Sequence, residues 1–165
     1  LLATPWLYEG KGQMHSCFLN LKATHTRGHM ARAVLESVCY QLRQLTQHSC
    51  KSKGQKWPEK VIAVGGGATG DVWMQILADV LGVPVAVPVA YRHAGAIGTA
   101  YSALIGLGIC DSFEKAGKLL KLERQYAPDP NNMQIYNKKY DIFTKLRDSL
   151  EEIGKKLEES DLWAN

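Results

Sequence analysis

A run of glycines between two apolar segments is the part of this sequence best suited to chemistry. Residues 61–64 are apolar and rich in valine and isoleucine, the composition of a buried strand. The segment Gly65-Gly-Gly-Ala-Thr-Gly70 follows, and apolar residues at helical spacing begin at Trp73. A strand, a glycine turn and a helix together present backbone N–H groups and a helix N-terminus at one place, which suits a phosphate group. The turn is therefore the candidate binding site.

The residues alone leave three interpretations of this turn open. Gly65, Gly67 and Gly70 satisfy the G-x-G-x-x-G pattern of dinucleotide-binding folds. Those folds also place an acidic residue at the end of the next strand, whereas this sequence has Val87-Pro88 there and offers only Arg92 for a 2′-phosphate. A tight turn that needs glycine only for its backbone conformation is the second interpretation. The third is a surface for phosphate or adenosine, because three consecutive glycines exceed what a turn requires.

The elements that would position the turn are those of an α/β domain, in which two strands precede the first helix, strands and helices then alternate, and helices close the chain. Prolines near both ends of the strand at 83–88 predict an edge strand. The Gly, Ala and Ser content of residues 94–106 predicts a buried helix. The other strands are predicted at residues 1–8, 16–21 and 61–64, and the other helices at 71–81, at 113–120, at 131–157 and after a cap at Thr24 or Thr26.

Composition excludes several classes of protein. With 165 residues, of which 45% are hydrophobic, one soluble globular domain is expected. The net charge of +4 comes from basic residues scattered among acidic ones, which does not predict nucleic-acid binding. Four cysteines without paired spacing predict a reduced, cytoplasmic protein, and no apolar run approaches the ~20 residues of a membrane span.

His25 and His29 are four residues apart, but without a neighbouring acidic or cysteine ligand we predict capping and surface roles for them.

Two stretches of the sequence carry motifs of a known family. Residues 61–108 contain GGGA, W-x-Q, AD-x-LG-x-P-V and AGA-I-G-x-A-Y, and with these motifs they resemble the C-terminal domain of the FGGY carbohydrate kinases. Residues 16–36 resemble its second signature, which ends in a similar A-x-x-E helix, although Asn20 replaces a glycine of the family. The opening Thr-Pro-Trp-Leu-Tyr and the Tyr-Ala-Pro-Asp-Pro of residues 126–130 are similar to the xylulokinase-like branch. The segment after Tyr8 is shorter than in the family.

The resemblance implies an actin-like, ribonuclease H-like domain with a mixed sheet flanked by helices. It implies the ATP-binding half of a sugar kinase, with ATP and Mg²⁺ as cofactors. Gly65, Gly66 and Gly67 would lie along the ribose and α-phosphate. Gly70 and Asp71 would lie near the adenosine, although position 70 is Asn or Ser in many members. Further candidates to line the site are Met74 and Gln75.

The family carries its sugar site and its catalytic Asp in a first domain. The sequence opens without Met, so we expect a fragment or excised domain of a longer protein. The resemblance implies that residues 1–165 are the second domain, with no catalytic residue and no metal ligand of its own. The chain alone is expected to be inactive, with a sugar reaching the kinase through the other domain. The oligomeric state stays open, a homodimer being one option. The alternative functions are a non-catalytic scaffold of the same fold and, less favoured, an NAD(P)-binding domain.

Overall fold

The computed structural model describes residues 1–4, 17–113 and 121–159. The segment after Tyr8 and most of the helix predicted at 113–120 lie outside these residues. The described residues form two compact units, one within Leu1–Trp57 and Pro130–Asn165 and the other within Pro58–Asp129. That residues 1–165 constitute one domain stays a prediction. No helix among the described residues combines the length and the apolar character that crossing a membrane requires.

The first unit contains two short strands and two long helices. Strand β1 (Leu2–Thr4) pairs in antiparallel fashion with β2 (Cys17–Leu19), with Ala3 opposite Phe18. Helix α1 covers Arg27–Lys53, and the last helix, α4, covers Pro130–Glu159. Both helices were expected from sequence.

Histidines complete the start of α1. Its N-cap is Thr26, and the N–H of Thr26 donates to Nδ1 of His29 at 3.1 Å in a capping box. The N–H of Lys22 donates to Nδ1 of His25 at 2.9 Å. The contact of His29 completes the helix cap, whereas that of His25 lies in the turn before α1. The predicted capping role is confirmed for His29, and the cap lies at Thr26 rather than Thr24.

Apolar residues at helical spacing, among them Val34, Leu42 and Leu45, predict a buried stripe on α1 with Glu36 on the opposite face. The buried face of α1 differs from this prediction. Val34, Leu42 and Leu45 of that stripe are 39%, 40% and 58% exposed. Glu36, which the pattern places on the solvent face, is only 3% exposed. The residues that α1 buries are Ala33, Glu36, Ser37, Cys39 and Tyr40. The prediction of the face was wrong because a buried carboxylate finds its partners on a distant helix.

Two cations and a tyrosine hydroxyl surround the Glu36 carboxylate. Arg32 Nε donates to Oε1 at 3.0 Å, and Lys139 Nζ of α4 donates to Oε2 at 2.8 Å. The hydroxyl of Tyr136 lies 3.4 Å from Oε1 and accepts a hydrogen bond from Arg32 Nη2 at 2.8 Å. A buried charge is tolerated when it is paired and hydrogen-bonded in this way. The network therefore joins α1 to α4.

Aromatic rings fill the space beside this network. Tyr40 of α1 lies 5.3 Å from the ring of Phe143 and 6.0 Å from that of Tyr140, centroid to centroid. Edge and tilted contacts at these distances stabilise a core beyond the area that they bury. The Tyr40 hydroxyl is buried without a hydrogen-bond partner among the described residues. Burial, followed by the charge of Glu36, raises the pKa of Tyr40, so this hydroxyl stays protonated.

The second unit is built on a three-stranded mixed sheet in the order β3-β4-β5. Strand β3 (Val61–Ile62) runs parallel to β4 (Val85–Pro88), and β5 (Leu122–Tyr126) runs antiparallel to β4. Helix α2 (Asp71–Leu81) connects β3 to β4, and it buries seven of its eleven residues, from Met74 onwards. The strand–turn–helix unit predicted around the glycines is thus present.

The sheet corrects two predictions. Strand β4 lies in the centre of the sheet rather than at its edge, and Val85 and Val87 are fully buried. The prolines at its ends are compatible with a central position. Pro84 takes part through its carbonyl, which accepts a hydrogen bond from the Val61 N–H at 2.9 Å. Pro88 lies where the pairing of β4 with β5 is irregular in register. Strand β5 was not predicted at all. Its sequence alternates between half-buried and exposed residues, as expected for a strand with one face in solvent.

Helix α3 (Ala94–Gly106) was predicted to be buried, and it is not. None of its residues is buried in the part of the chain that the structure describes. Its small and apolar residues provide the composition of a packed helix, but burial also needs a covering surface. Composition alone does not reveal whether the same chain provides that surface.

Candidate functional site at the glycine turn

The turn between β3 and α2 has a backbone conformation that depends on glycine. Gly65 has φ 87° and ψ −175°, a region that residues with a Cβ rarely adopt. Its N–H donates to the carbonyl of Tyr91 at 2.7 Å, in the loop after β4. A single 3₁₀ turn, Gly66–Thr69, follows, and the Thr69 hydroxyl donates to the carbonyl of Gly66 at 2.7 Å. The turn is therefore fixed at both of its ends.

Open space lies in front of the first two glycines. A Cβ placed on Gly65 or Gly66 would meet no atom within 4 Å. A Cβ on Gly67 would lie only 2.8 Å from Cζ3 of the Trp73 ring. The glycines therefore serve different purposes: Gly67 allows the turn to pack on Trp73, whereas Gly65 and Gly66 leave bare backbone that a ligand can approach.

Helix α2 begins beside this open backbone without a side-chain cap. Its N-cap is Gly70, which has no side chain to bond the N–H groups of the first turn. A helix N-terminus carries a partial positive charge that attracts anions. The acidic residue of the first turn, Asp71, would oppose an anion, but its carboxylate is engaged elsewhere.

Two side chains of β5 bind the Asp71 carboxylate. The Tyr126 hydroxyl donates to Oδ1 at 2.6 Å, and Arg124 Nη1 donates to the same oxygen at 2.6 Å. The hydrogen bond from Tyr126 and then that from Arg124 hold the pKa of Asp71 below its usual value. The charge of Asp71 is thus balanced by Arg124 at the point where the helix begins.

Arg124 also bonds to the backbone of the turn. Its Nη2 donates to the carbonyl of Ala68 at 2.8 Å, and its Nη1 donates to that of Thr69 at 3.3 Å. The guanidinium lies 5.3 Å from the centroid of the Tyr91 ring. Sequence reasoning missed Arg124, Tyr126 and Tyr91. The alternation of Leu122–Tyr126 could have indicated a strand, but nothing local indicates where its arginine points.

The structure thus places Gly65, Gly66, Gly67, Gly70 and Asp71 on one continuous turn. The other two candidates, Met74 and Gln75, are not part of this turn. Met74 is 4% exposed and belongs to the core. Gln75 donates to the Asp79 carboxylate at 2.8 Å and to the Ala127 carbonyl at 2.9 Å.

The sequence also matches a known protein family. The description "FGGY family of carbohydrate kinases, C-terminal domain" fits residues 8–107. This chain belongs to that family. The autoinducer-2 kinase of Yersinia pestis (strain Pestoides F) is 40% identical over 116 residues, which cover 70% of this chain. The same alignment covers 21% of that relative, so the FGGY chain described here spans about a fifth of the length of the curated relatives it matches.

Solved structures agree on the fold. The xylulose kinase of Rhodospirillum rubrum superposes on 93% of this FGGY chain with a TM-score of 0.76 and 30% identity, over 31% of its own length. The gluconate kinase of Lactobacillus acidophilus superposes on 87% of the chain with a TM-score of 0.73 and 24% identity, over 29% of its own length. The predicted actin-like fold, with a mixed sheet and helices, is confirmed.

Proposed function

We propose that this chain is the ATP-binding part of a carbohydrate kinase, in which the γ-phosphate of ATP passes to a sugar hydroxyl. The observation that carries the proposal is the bare backbone at Gly65 and Gly66, next to the uncapped N-terminus of α2. Membership of the FGGY family of carbohydrate kinases supports the same assignment. Gly65, Gly66 and Gly67 would contact the ribose and α-phosphate, and Gly70 and Asp71 the adenosine side.

The residues present fit a nucleotide phosphate. Space for it exists because no atom lies within 4 Å of a Cβ built on either of the first two glycines. Charge is favourable because Arg124 balances Asp71, leaving the partial positive charge of the helix start. ATP supplies the transferable phosphoryl group when bound, and these residues would hold and orient it. Phosphoryl transfer depends mainly on such positioning and on charge neutralisation.

A Mg²⁺ ion is part of the proposal as a companion of ATP. The described ranges contain no group of three or more His, Cys, Asp or Glu side chains that could hold a metal ion. We propose that phosphate oxygens and acids of the remainder of the protein hold the ion, since Mg²⁺ in phosphoryl-transfer sites keeps several waters and few protein ligands.

The remainder of the protein would supply the sugar site and a catalytic Asp. We propose a xylulose-like ketose or a related sugar as the substrate and the cytoplasm as the location. The relatives carry different substrate names, autoinducer-2, xylulose and gluconate, so the sugar is the finer part of this proposal. A homodimer stays an option.

Replacing Gly66 by alanine tests the assignment of the turn. Because the added methyl meets no protein atom, we expect unchanged unfolding and an affinity for Mg-ATP at least tenfold weaker. NMR titration of the Gly65–Asp71 amides with millimolar Mg-ATP measures the affinity of the wild type and of the Gly66→Ala variant. Gly106→Ala, the same change at another open glycine, is the control and should bind like the wild type. Absence of amide shifts in the wild type would favour a non-catalytic scaffold, and a preference for NADP would favour a dinucleotide site.

We expect the isolated 165-residue chain to transfer no phosphate to sugars, because the proposed catalytic Asp lies outside it. A coupled ADP-release assay with xylulose and related sugars measures this. Robust phosphorylation by the chain alone would contradict the proposal that the catalytic Asp lies outside it.

A further inference from the structure

The guanidinium of Arg124 connects four parts of the second unit. It belongs to β5, donates to two carbonyls of the 3₁₀ turn, pairs with the first residue of α2 and lies over the ring of Tyr91. Tyr91 in turn accepts the N–H of Gly65 through its carbonyl at 2.7 Å. Gly65 and Gly66 are therefore each connected to this side chain through one residue, Tyr91 and Thr69 respectively.

The side chain is suited to holding geometry. Its exposed fraction is 25%, against 71% for the Asp71 side chain, so the arginine is the better buried of the pair. A planar guanidinium can donate to neighbouring carbonyls at the same time, which fixes their relative orientation, whereas a lysine presents one point charge. Orientation of the Ala68 and Thr69 carbonyls fixes the peptide planes that lead into Gly70 and α2.

The charge of Arg124 matters as well. Without Arg124, the Asp71 carboxylate would stand unpaired by a cation in the first turn of α2, next to the glycines that would contact the α-phosphate. A negatively charged carboxylate repels a nearby negatively charged phosphate, which weakens binding. The ion pair thus makes the helix start suitable for a phosphate.

We propose that Arg124 is the positioning residue of the glycine turn, setting its affinity for the nucleotide through the turn and through Asp71. This inference rests on the proposed function, because it assumes that the turn binds ATP. The contacts of Arg124 named above are with Asp71, with Tyr91 and with two carbonyls of the turn, so we assign its effect to the residues that would touch the ligand.

Arg124→Met removes the charge and the donors while keeping the length of the side chain. We expect Mg-ATP affinity to fall at least tenfold. Without nucleotide, we expect amide hydrogen exchange to become at least tenfold faster at Ala68 and Gly70, whose N–H groups bond to carbonyls of the turn. Arg124→Lys should restore part of the affinity through its charge but not the slow exchange. Gln125→Met, at an exposed neighbour on β5, is the control and should change neither.

Charge and geometry are separated by adding Asp71→Asn to Arg124→Met. We expect the double variant to regain several-fold in affinity over Arg124→Met, while exchange in the turn stays fast. Wild-type affinity and exchange in Arg124→Met would overturn the positioning role. Failure of the wild-type chain to bind Mg-ATP would instead overturn the proposed function, and exchange in the turn would then decide the geometric part alone.

Discussion

Replacing Glu36 by alanine is expected to lower the free energy of unfolding of this chain by about 2 kcal/mol, because hydrogen bonds to charged groups contribute about 1.5–3 kcal/mol and Arg32 and Lys139 lose theirs. Glu36 is 3% exposed and accepts from Arg32 at 3.0 Å and from Lys139 at 2.8 Å. The estimate lies at the low end for such changes since both cations reach solvent, with 55% and 35% of their side chains exposed. Urea unfolding followed by circular dichroism at 222 nm measures the change.

The partner cation provides the matched comparison. Arg32→Ala leaves the Glu36 carboxylate paired with Lys139, so we expect a loss of about 1 kcal/mol or less, as for exposed pairs. Equal losses in the two variants would show that the carboxylate is not the centre of the network. An unchanged midpoint in Glu36→Ala would contradict the stabilising effect of its ion pairs.

The second large effect is expected at Gly67. An alanine there would place its methyl 2.8 Å from the Trp73 ring, so the ring or the turn must move. Overpacking of this kind costs about 1–3 kcal/mol. Thermal unfolding followed by tryptophan fluorescence is the measurement. The shift in emission on unfolding should occur at a lower midpoint temperature than in the wild type.

Two further variants separate the causes. Gly67→Ala combined with Trp73→Leu should lose less than the sum of the single changes, because the clash is removed with the ring. Gly65→Ala meets no atom, yet its φ of 87° should still cost about 1–3 kcal/mol through backbone strain. Full additivity of the Gly67 and Trp73 changes would contradict the steric explanation.

Local signals predicted the local parts of this molecule. The cap at Thr26, the turn at the glycines and the extent of α2 follow from neighbouring residues, and all three are present. The glycine cluster was recognised because a turn and a helix start leave their signature within about ten residues.

Contacts between distant residues were not predictable in the same way. Glu36 was assigned to solvent because its partner Lys139 is 103 positions away. The contacts of Arg124 were missed because a strand of five residues with charged positions resembles a loop until it is paired. The central position of β4 was missed because its prolines indicate an edge unless the irregular register at Pro88 is known. A single sequence carries no signal for such pairings.

The distance along the chain between the turn and its arginine affects the order of folding. Arg124 is 55 positions from Thr69 and 56 from Ala68, and it lies beyond the residues 8–107 that fit the family description. During synthesis, α2 and the glycines leave the ribosome well before β5 exists. The turn is therefore completed late, when β5 adds to the sheet, because contacts that close long loops carry the larger entropic cost. A shortened chain that ended with the family match, at residue 107, would leave the glycine turn without Arg124, its last stabilising partner.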